Sequence, residues 1–249
     1  MFVKNKQLLF RMRTAGKLLA EIFETLENII QPGVSTASID AWLAQEFAKN
    51  NLVSCTKGYK GYRHVCCISV NDAVVHGVPS EKFFIKEGDL VKVDVCVSWN
   101  KGCADMTRAF YVGKNCPQEI ANFMAAAQKA LDAGIQKCVA GNKLSDISYA
   151  IQQEIEKAGY GIVEEFAGHG IGKKMHEEPD IPNYGDPGQG MVLREGMTFA
   201  LEPMLTMRDA GIYISKDKWT AKTRDGSLAM HVEDTVLVKS GNPEILTRL

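Results

Sequence analysis

No run of this sequence approaches the ~18 consecutive apolar residues that a membrane-crossing helix needs. Its first ten residues, M-F-V-K-N-K-Q-L-L-F, lack the continuous apolar core of a secretory signal. There is no long basic block. The 29 lysines and arginines stand against 30 acidic residues, for a net charge of −1, which leaves no footprint for nucleic acid or an anionic membrane. The seven cysteines are odd in number and form no C-x-x-C pair, and Cys66 and Cys67 are adjacent in a strand-like run. Reduced thiols in a cytoplasmic protein fit that usage best. What remains is ordinary globular composition, 45% hydrophobic and 24% charged over 249 residues, enough for one large domain or two small ones.

The most informative stretch is F-A-G-H-G-I-G-K-K-M-H-E-E-P at 166 to 179. It sets His169 and His176 among Gly168, Gly170 and Gly172. Neutral imidazole is a common metal ligand and acid–base group, and glycine lets backbone approach closely. A glycine-rich surface loop with two histidines is the plain alternative. Four carboxylates elsewhere weigh against it. Asp94, Asp105, Glu202 and Glu233 each lie in or beside a run that reads as a buried strand, and buried carboxylates are rare unless paired or metal-bound.

Periodicity organises the rest. Residues 6 to 30 carry a helical repeat that ends at Pro32-Gly33, and Ser35 can cap a second helix. Residues 64 to 70 read as a strand. In 89 to 98, Val91, Val93, Val95 and Val97 share one face while Lys92, Asp94 and Cys96 share the other. A turn at 100 to 102 returns a strand from about 103 to 112. The odd separation of Asp94 and Asp105 allows them to face each other on one side of this hairpin. Pro117 starts a helix through about Val139, and another spans roughly Ser145 to Ala158. Strand-like runs follow at 161 to 166, 197 to 201 and 229 to 238.

Two halves of this order look related. I-K-E-G at 85 to 88 is similar to L-R-E-G at 193 to 196. Asp94 then lies over Glu202, 108 positions on, and the same offset carries Ile39 onto Ile147. A duplicated scaffold could bring both carboxylates to one cleft. Four carboxylates and a histidine make a hard, oxygen-rich donor set, suited to Mn, Fe(II), Co or Zn. Five side chains exceed the three of a mononuclear zinc hydrolase, and bridging carboxylates could hold two metals about 3.5–4 Å apart. His76 and His176 remain for the substrate.

The combination of H-G-V-P at 76 to 79, V-D-V at 93 to 95, A-D at 104 to 105, G-H-G-I-G-K-K-M-H-E-E-P at 168 to 179, L-E-P-M at 201 to 204 and V-E-D-T at 232 to 235 resembles type I methionine aminopeptidase over nearly the whole chain. The resemblance implies an α+β pita-bread fold, with two pseudo-symmetric α/β halves and an antiparallel sheet around a dimetal cleft. Residues 1–249 would be one metallopeptidase domain with internal halves of roughly 1–115 and 116–249. The implied activity is removal of N-terminal methionine when the second residue is small. The implied cofactor is a pair of divalent ions: Mn, Fe(II), Co or Zn. Asp94 would chelate one metal, His169 and Glu202 the other, and Asp105 and Glu233 would bridge. Glu202 would also take the proton of the attacking water. His76 and His176 would bind the scissile peptide, with Tyr59, Tyr62, Cys67, Met175 and Trp219 walling the methionine pocket.

The expected partner is a peptide or nascent-chain N-terminus with a free amine; ribosome association and a monomeric state are further expectations. Met175 stands where an aromatic is more usual in the family, Thr56 where bacterial members often have Cys, and His231 where Gln is more frequent. His231 has three open readings: it crowds the site of the second substrate residue, it hydrogen-bonds a ligand carboxylate, or it has no role. His64 fits no role and is expected at the surface. Two other functions stay open, a proline-directed aminopeptidase of the same fold and a non-enzymatic pita-bread binding protein. The first usually carries an extra N-terminal domain, and lost ligands would mark the second.

Overall fold

The structure, a computed structural model, describes residues 3–249. Helix α1 (Lys6–Leu26) starts at Asn5, whose side chain accepts the Leu8 N–H at 2.8 Å. It buries Leu8, Met12, Leu19, Ile22 and Phe23 along one face. The apolar repeat runs on to Ile30, but the helix does not. Its last turn tightens instead, with the Asn28 and Ile29 N–H groups donating to the Thr25 and Leu26 carbonyls. Ile30 still packs inward, which is why periodicity alone overran the end. Helix α2 (Thr36–Lys49) is capped by Ser35 as expected.

Strands β1 (Val53–Ser54), β2 (Cys67–Val70) and β3 (Ala73–Val75) lead to the long hairpin of β4 (Leu90–Trp99) and β5 (Gly102–Tyr111). Asn100 and Lys101 both take positive φ at its tip, the combination that suits the twist of paired strands. β1 and β2 pair with one edge of β4 and β5 with the other. Both faces of β4 are covered. Val91, Val93, Val95 and Val97 enter a core with α1 and α2. On the opposite face Lys92 is fully buried, and its ammonium donates to the Asn71 carbonyl at 2.9 Å.

Helix α3 (Gln118–Gln136) follows Pro117, and α4 (Leu144–Ala158) stops at Gly159, whose φ of 77° suits glycine. The remaining strands are β6 (Gly161–Ile162), β7 (Ala167–Gly170), β8 (Glu177–Pro182), β9 (Thr198–Leu201), β10 (Met204–Thr206), β11 (Ile212–Ile214), β12 (Ala221–Thr223), β13 (Ala229–His231), β14 (Asp234–Leu237) and β15 (Glu244–Ile245). They form a sheet in the order β15-β14-β9-β7-β8 and two three-stranded sheets, β13-β10-β6 and β11-β12-β3. The glycine-rich segment is therefore not all loop: its two ends supply β7 and the start of β8, and 171–176 connects them. The run from 229 to 238 is not one strand, because it breaks between His231 and Asp234.

Two apolar clusters dominate. One joins α1 and α2 to the β4–β5 hairpin; the other joins α3 and α4 to β9 and β14. Ile39 and Ile147 are both fully buried, one in each cluster. Each such side chain contributes about 1.5–3 kcal/mol relative to exposure. The clusters meet where β5 faces β14. Thr107 pairs with Glu233, and the Thr235 hydroxyl accepts the Asp105 N–H at 2.8 Å while donating to the Asp105 carbonyl at 2.9 Å.

Candidate metal centre

The β4–β5 register sets Asp94 opposite Thr107 and Asp105 opposite Cys96. The two aspartates thus share a face but sit diagonally, not directly across. Glu202 follows the end of β9, and Glu233 precedes β14, the strand paired with β9. His169 lies on β7 beside Ala200 of β9. Its neighbour Gly170 is required, because a Cβ there would meet the Glu178 carbonyl oxygen at 2.3 Å. The five side chains thereby converge from both clusters.

Their geometry is close. His169 Nε2 is 3.5 Å from Glu202 Oε1 and 3.9 Å from Asp105 Oδ2. Ligand atoms of Asp105, His169 and Glu233 all fall within 4.8 Å of one another. His169 Nδ1 is 3.0 Å from the Gly170 carbonyl, which as a hydrogen-bond acceptor leaves Nε2 with its lone pair toward the carboxylates. Thr107 donates to Glu233 Oε2 at 3.0 Å. Asp105 Oδ1 and Glu233 Oε1 are buried with no hydrogen-bond partner.

The electrostatics favour a cation here. Among the described residues, the ion-pair contacts of these carboxylates run to His169 and His231, with none to lysine or arginine. Burial pushes Glu202 up to about 8 and Asp94 up to about 6, the latter helped by Glu202 and opposed by His231. Burial, then the neighbouring carboxylates, holds Asp105 and Glu233 well above the usual range. Burial lowers His169 to about 4, so the imidazole is neutral and able to ligate. Orphaned oxygens, mutually repelling carboxylates and a free imidazole nitrogen fit divalent cations of the harder kind.

The carboxylates open onto a cavity of about 410 Å³. All five metal candidates line it, as do His76, His176, Tyr59, Tyr62, Cys67, Met175, Trp219 and Thr56. His76 has a φ of 58°, an unusual conformation for a residue with a side chain, and burial lowers it to about 4. Gly77 beside it has no room for a Cβ, which would meet the Ile68 carbonyl oxygen at 2.1 Å. His176 Nδ1 lies 3.1 Å from the Tyr59 hydroxyl, and its ring centroid is 4.3 Å from that of His169. Tyr62 packs edge-on against Trp219 at 4.9 Å, with its hydroxyl donating to the Cys66 carbonyl at 3.1 Å.

His231 does not line the cavity. It is 2% exposed, its Nε2 is 3.5 Å from Glu202 Oε2 and has no hydrogen-bond partner, and its strand pairs it with Met204. It stands behind Glu202, out of the cavity wall. His64 is not on the open surface either: half-buried, it meets Asp40 at 2.9 Å. Sequence reasoning missed Phe166, whose ring packs edge-on against His76 at 5.2 Å. It also missed Lys60, Glu165 and Asp180 at the cavity wall. Lys60 falls between two expected wall tyrosines, a signal that could have found it.

Known proteins share the sequence pattern and the fold of this chain. The model of metallopeptidase family M24 matches residues 11–240. A methionine aminopeptidase of Clostridium acetobutylicum is 43% identical over 249 residues, covering 98% of each chain. The crystal structure of a methionine aminopeptidase from Thermotoga maritima superposes with a TM-score of 0.96 at 36% identity, covering 99% of both chains. An X-Pro aminopeptidase from Thermotoga maritima shares the fold, with a TM-score of 0.79 at 22% identity, but only 62% of that chain is covered.

Proposed function

The chain belongs to metallopeptidase family M24 and, within it, to the methionine aminopeptidases, and from that premise we propose that it excises N-terminal methionine at a pair of divalent ions. Asp94 would hold one ion and His169 and Glu202 the other, with Asp105 and Glu233 shared between the two. The fold is the pita-bread fold. The observation that carries the reading is the set of four carboxylates around His169, with no lysine or arginine paired to them among the described residues. The two ions are drawn from Mn, Fe(II), Co or Zn.

The substrate is a peptide or nascent chain with a free N-terminal amine and a small second residue. Its methionine side chain enters the cavity between Tyr59, Tyr62, Cys67, Met175 and Trp219. When bound, the metals keep the carboxylates ionised, lower the pKa of water and offset charge building on the substrate oxygen. Glu202 takes a proton from the water that adds to the scissile carbonyl carbon, and passes it to the departing amine as the C–N bond breaks. His176 hydrogen-bonds the substrate carbonyl oxygen, and its own ring is oriented by Tyr59. His76, held in its strained conformation and packed on Phe166, accepts or donates at the peptide nitrogen. The products are free methionine and the shortened chain, and the work is done in the cytoplasm.

Among the described residues, no helix is long and apolar enough to cross a membrane. The proline-directed alternative rests on likeness of fold alone. Rates on a Met-Ala peptide and an Xaa-Pro peptide test the reading: release of methionine from the first only is expected, and preference for the second would overturn it.

A further inference from the structure

His76 takes its φ of 58° between two anchored ends. Before it, Val75 closes β3 and pairs with Ala221 of β12. After it, the chain lies back on β2. The Ile68 N–H donates to the Gly77 carbonyl at 2.8 Å, and the Gly77 N–H donates to Ser69 Oγ at 3.0 Å. A Cβ on Gly77 would meet Ser69 Cα at 2.8 Å as well as the Ile68 carbonyl, so glycine is what lets this peptide reach the hydroxyl. Ser69 is 3% exposed and stands behind the cavity wall, two residues from Cys67, which lines it. Tyr62 and Thr220 add longer contacts. The Tyr62 hydroxyl is 3.3 Å from the Gly77 carbonyl oxygen. The Thr220 hydroxyl, which donates to Asp217 at 2.6 Å, is 3.4 Å from both the His76 carbonyl oxygen and the Val78 nitrogen. Left-handed backbone is disfavoured wherever a Cβ is present, and it persists only where the surroundings over-determine it.

We propose that Ser69 is a positioning residue for methionine excision, fixing His76 at the substrate's peptide nitrogen through the Gly77 N–H. The inference rests on the role given to His76 in the proposed function. Of the three hydroxyls around the His76–Gly77 peptide, that of Ser69 makes the shortest contact. Without it the Gly77 N–H is buried and has lost its acceptor, a costly state that the peptide escapes by turning toward another one. That turn changes the backbone angles of His76, releases it from the left-handed region and swings the imidazole away from the substrate. An acid–base group acts only within hydrogen-bond reach of its proton partner, so a small displacement is felt in the rate. The metal centre is not involved. Ser69 is paired with Lys92, whereas Asp94 is paired with Cys67, and removing a hydroxyl leaves the β2–β4 backbone pairing intact.

The test compares Ser69→Ala, which removes the acceptor, with Ser69→Thr, which keeps a hydroxyl. On a Met-Ala peptide, Ser69→Ala should lower kcat about tenfold or more, with KM within about twofold and bound metal unchanged. Ser69→Thr should stay near the parent. In a His76→Ala background the same Ser69→Ala change should cost less than about twofold, because the group it positions is gone. The chain's five histidines give a readout that needs no turnover. In imidazole NMR spectra of the Zn(II)-loaded protein, the signal that His76→Ala removes should be the one that Ser69→Ala moves most. Should the parent release no methionine, the reaction assigned to the site fails, and this spectrum still decides whether Ser69 holds His76. An unchanged kcat in Ser69→Ala, a full additional loss in the His76→Ala background, or a His76 signal that stays in place overturns the inference. Lowered thermal stability with kcat intact would make Ser69 a packing residue only, and overturns it too.

Discussion

His231 shows how much one side chain can depend on its neighbours' charges. It is buried behind Glu202, with its Nε2 aimed at that carboxylate and no other partner. An uncompensated polar group in that position costs about 1–3 kcal/mol, so the contact with Glu202 is its reason to be there. The account predicts that His231→Leu lowers kcat/KM about 10–100-fold on Met-Ala and Met-Leu peptides alike, with weaker metal binding. His231→Gln, which keeps a donor, should retain most activity. A change confined to the Met-Leu to Met-Ala ratio would instead mean that His231 crowds the substrate. The two histidines of the glycine-rich segment should separate in the same way. His169→Ala removes a nitrogen within 3.9 Å of two carboxylates and should lose both bound metal and rate. His176→Ala, whose ring meets Tyr59 and substrate, should keep its metal while kcat and kcat/KM fall together. Equal metal loss in both, measured by elemental analysis, would contradict these roles.

At the scale of elements, the centre is built where β5 and β14 are lashed together. The Thr235 hydroxyl bonds both backbone groups of Asp105. Thr235→Val keeps the shape and removes both bonds, so it should cost about 1–3 kcal/mol of stability and loosen metal binding at Asp105. Unchanged denaturant midpoint and metal affinity would remove Thr235 from the account. The segment leading into β8 is fastened differently, by Lys4 Nζ on Glu177 at 2.5 Å. Burial alone would raise the Glu177 pKa, but the Lys4 ammonium and the Lys173 and Lys174 N–H groups outweigh it and hold the carboxyl below its usual range. A depressed acid contributes stability that is complete above its unfolded pKa, about 4.3, and is lost as pH falls through the folded value. Thermal melting should therefore show Glu177→Gln less stable by about 1 kcal/mol at neutral pH, with the gap closing in acid. A gap independent of pH would rule the ion pair out.

Across the whole molecule, the legible parts were those that violate a local expectation. Asp94, Asp105, Glu202 and Glu233 stand out because charge sits in apolar strand-like runs, and the 108-residue offset between Asp94 and Glu202 hinted at a shared cleft. Helix α2 was legible because Ser35 carries its own cap. The strands β7 and β8 were not, since glycines and an E-E-P run have little strand propensity and are ordered only by pairing with β9 and with each other. Register was equally hidden: parity put Asp94 and Asp105 on one face, but turn geometry at Asn100 and Lys101 decided that they sit diagonally. The roles of Thr235 and Phe166 depend on contacts between distant segments, which no local pattern encodes.

The central claim is that the converging carboxylates and His169 hold the ions on which methionine excision depends. Its most direct test is release of free methionine from a Met-Ala peptide by chelator-stripped protein, before and after Mn(II) is added back. The account predicts no release without metal and restored release once the ion is bound. Full activity in protein shown by elemental analysis to be metal-free would contradict it.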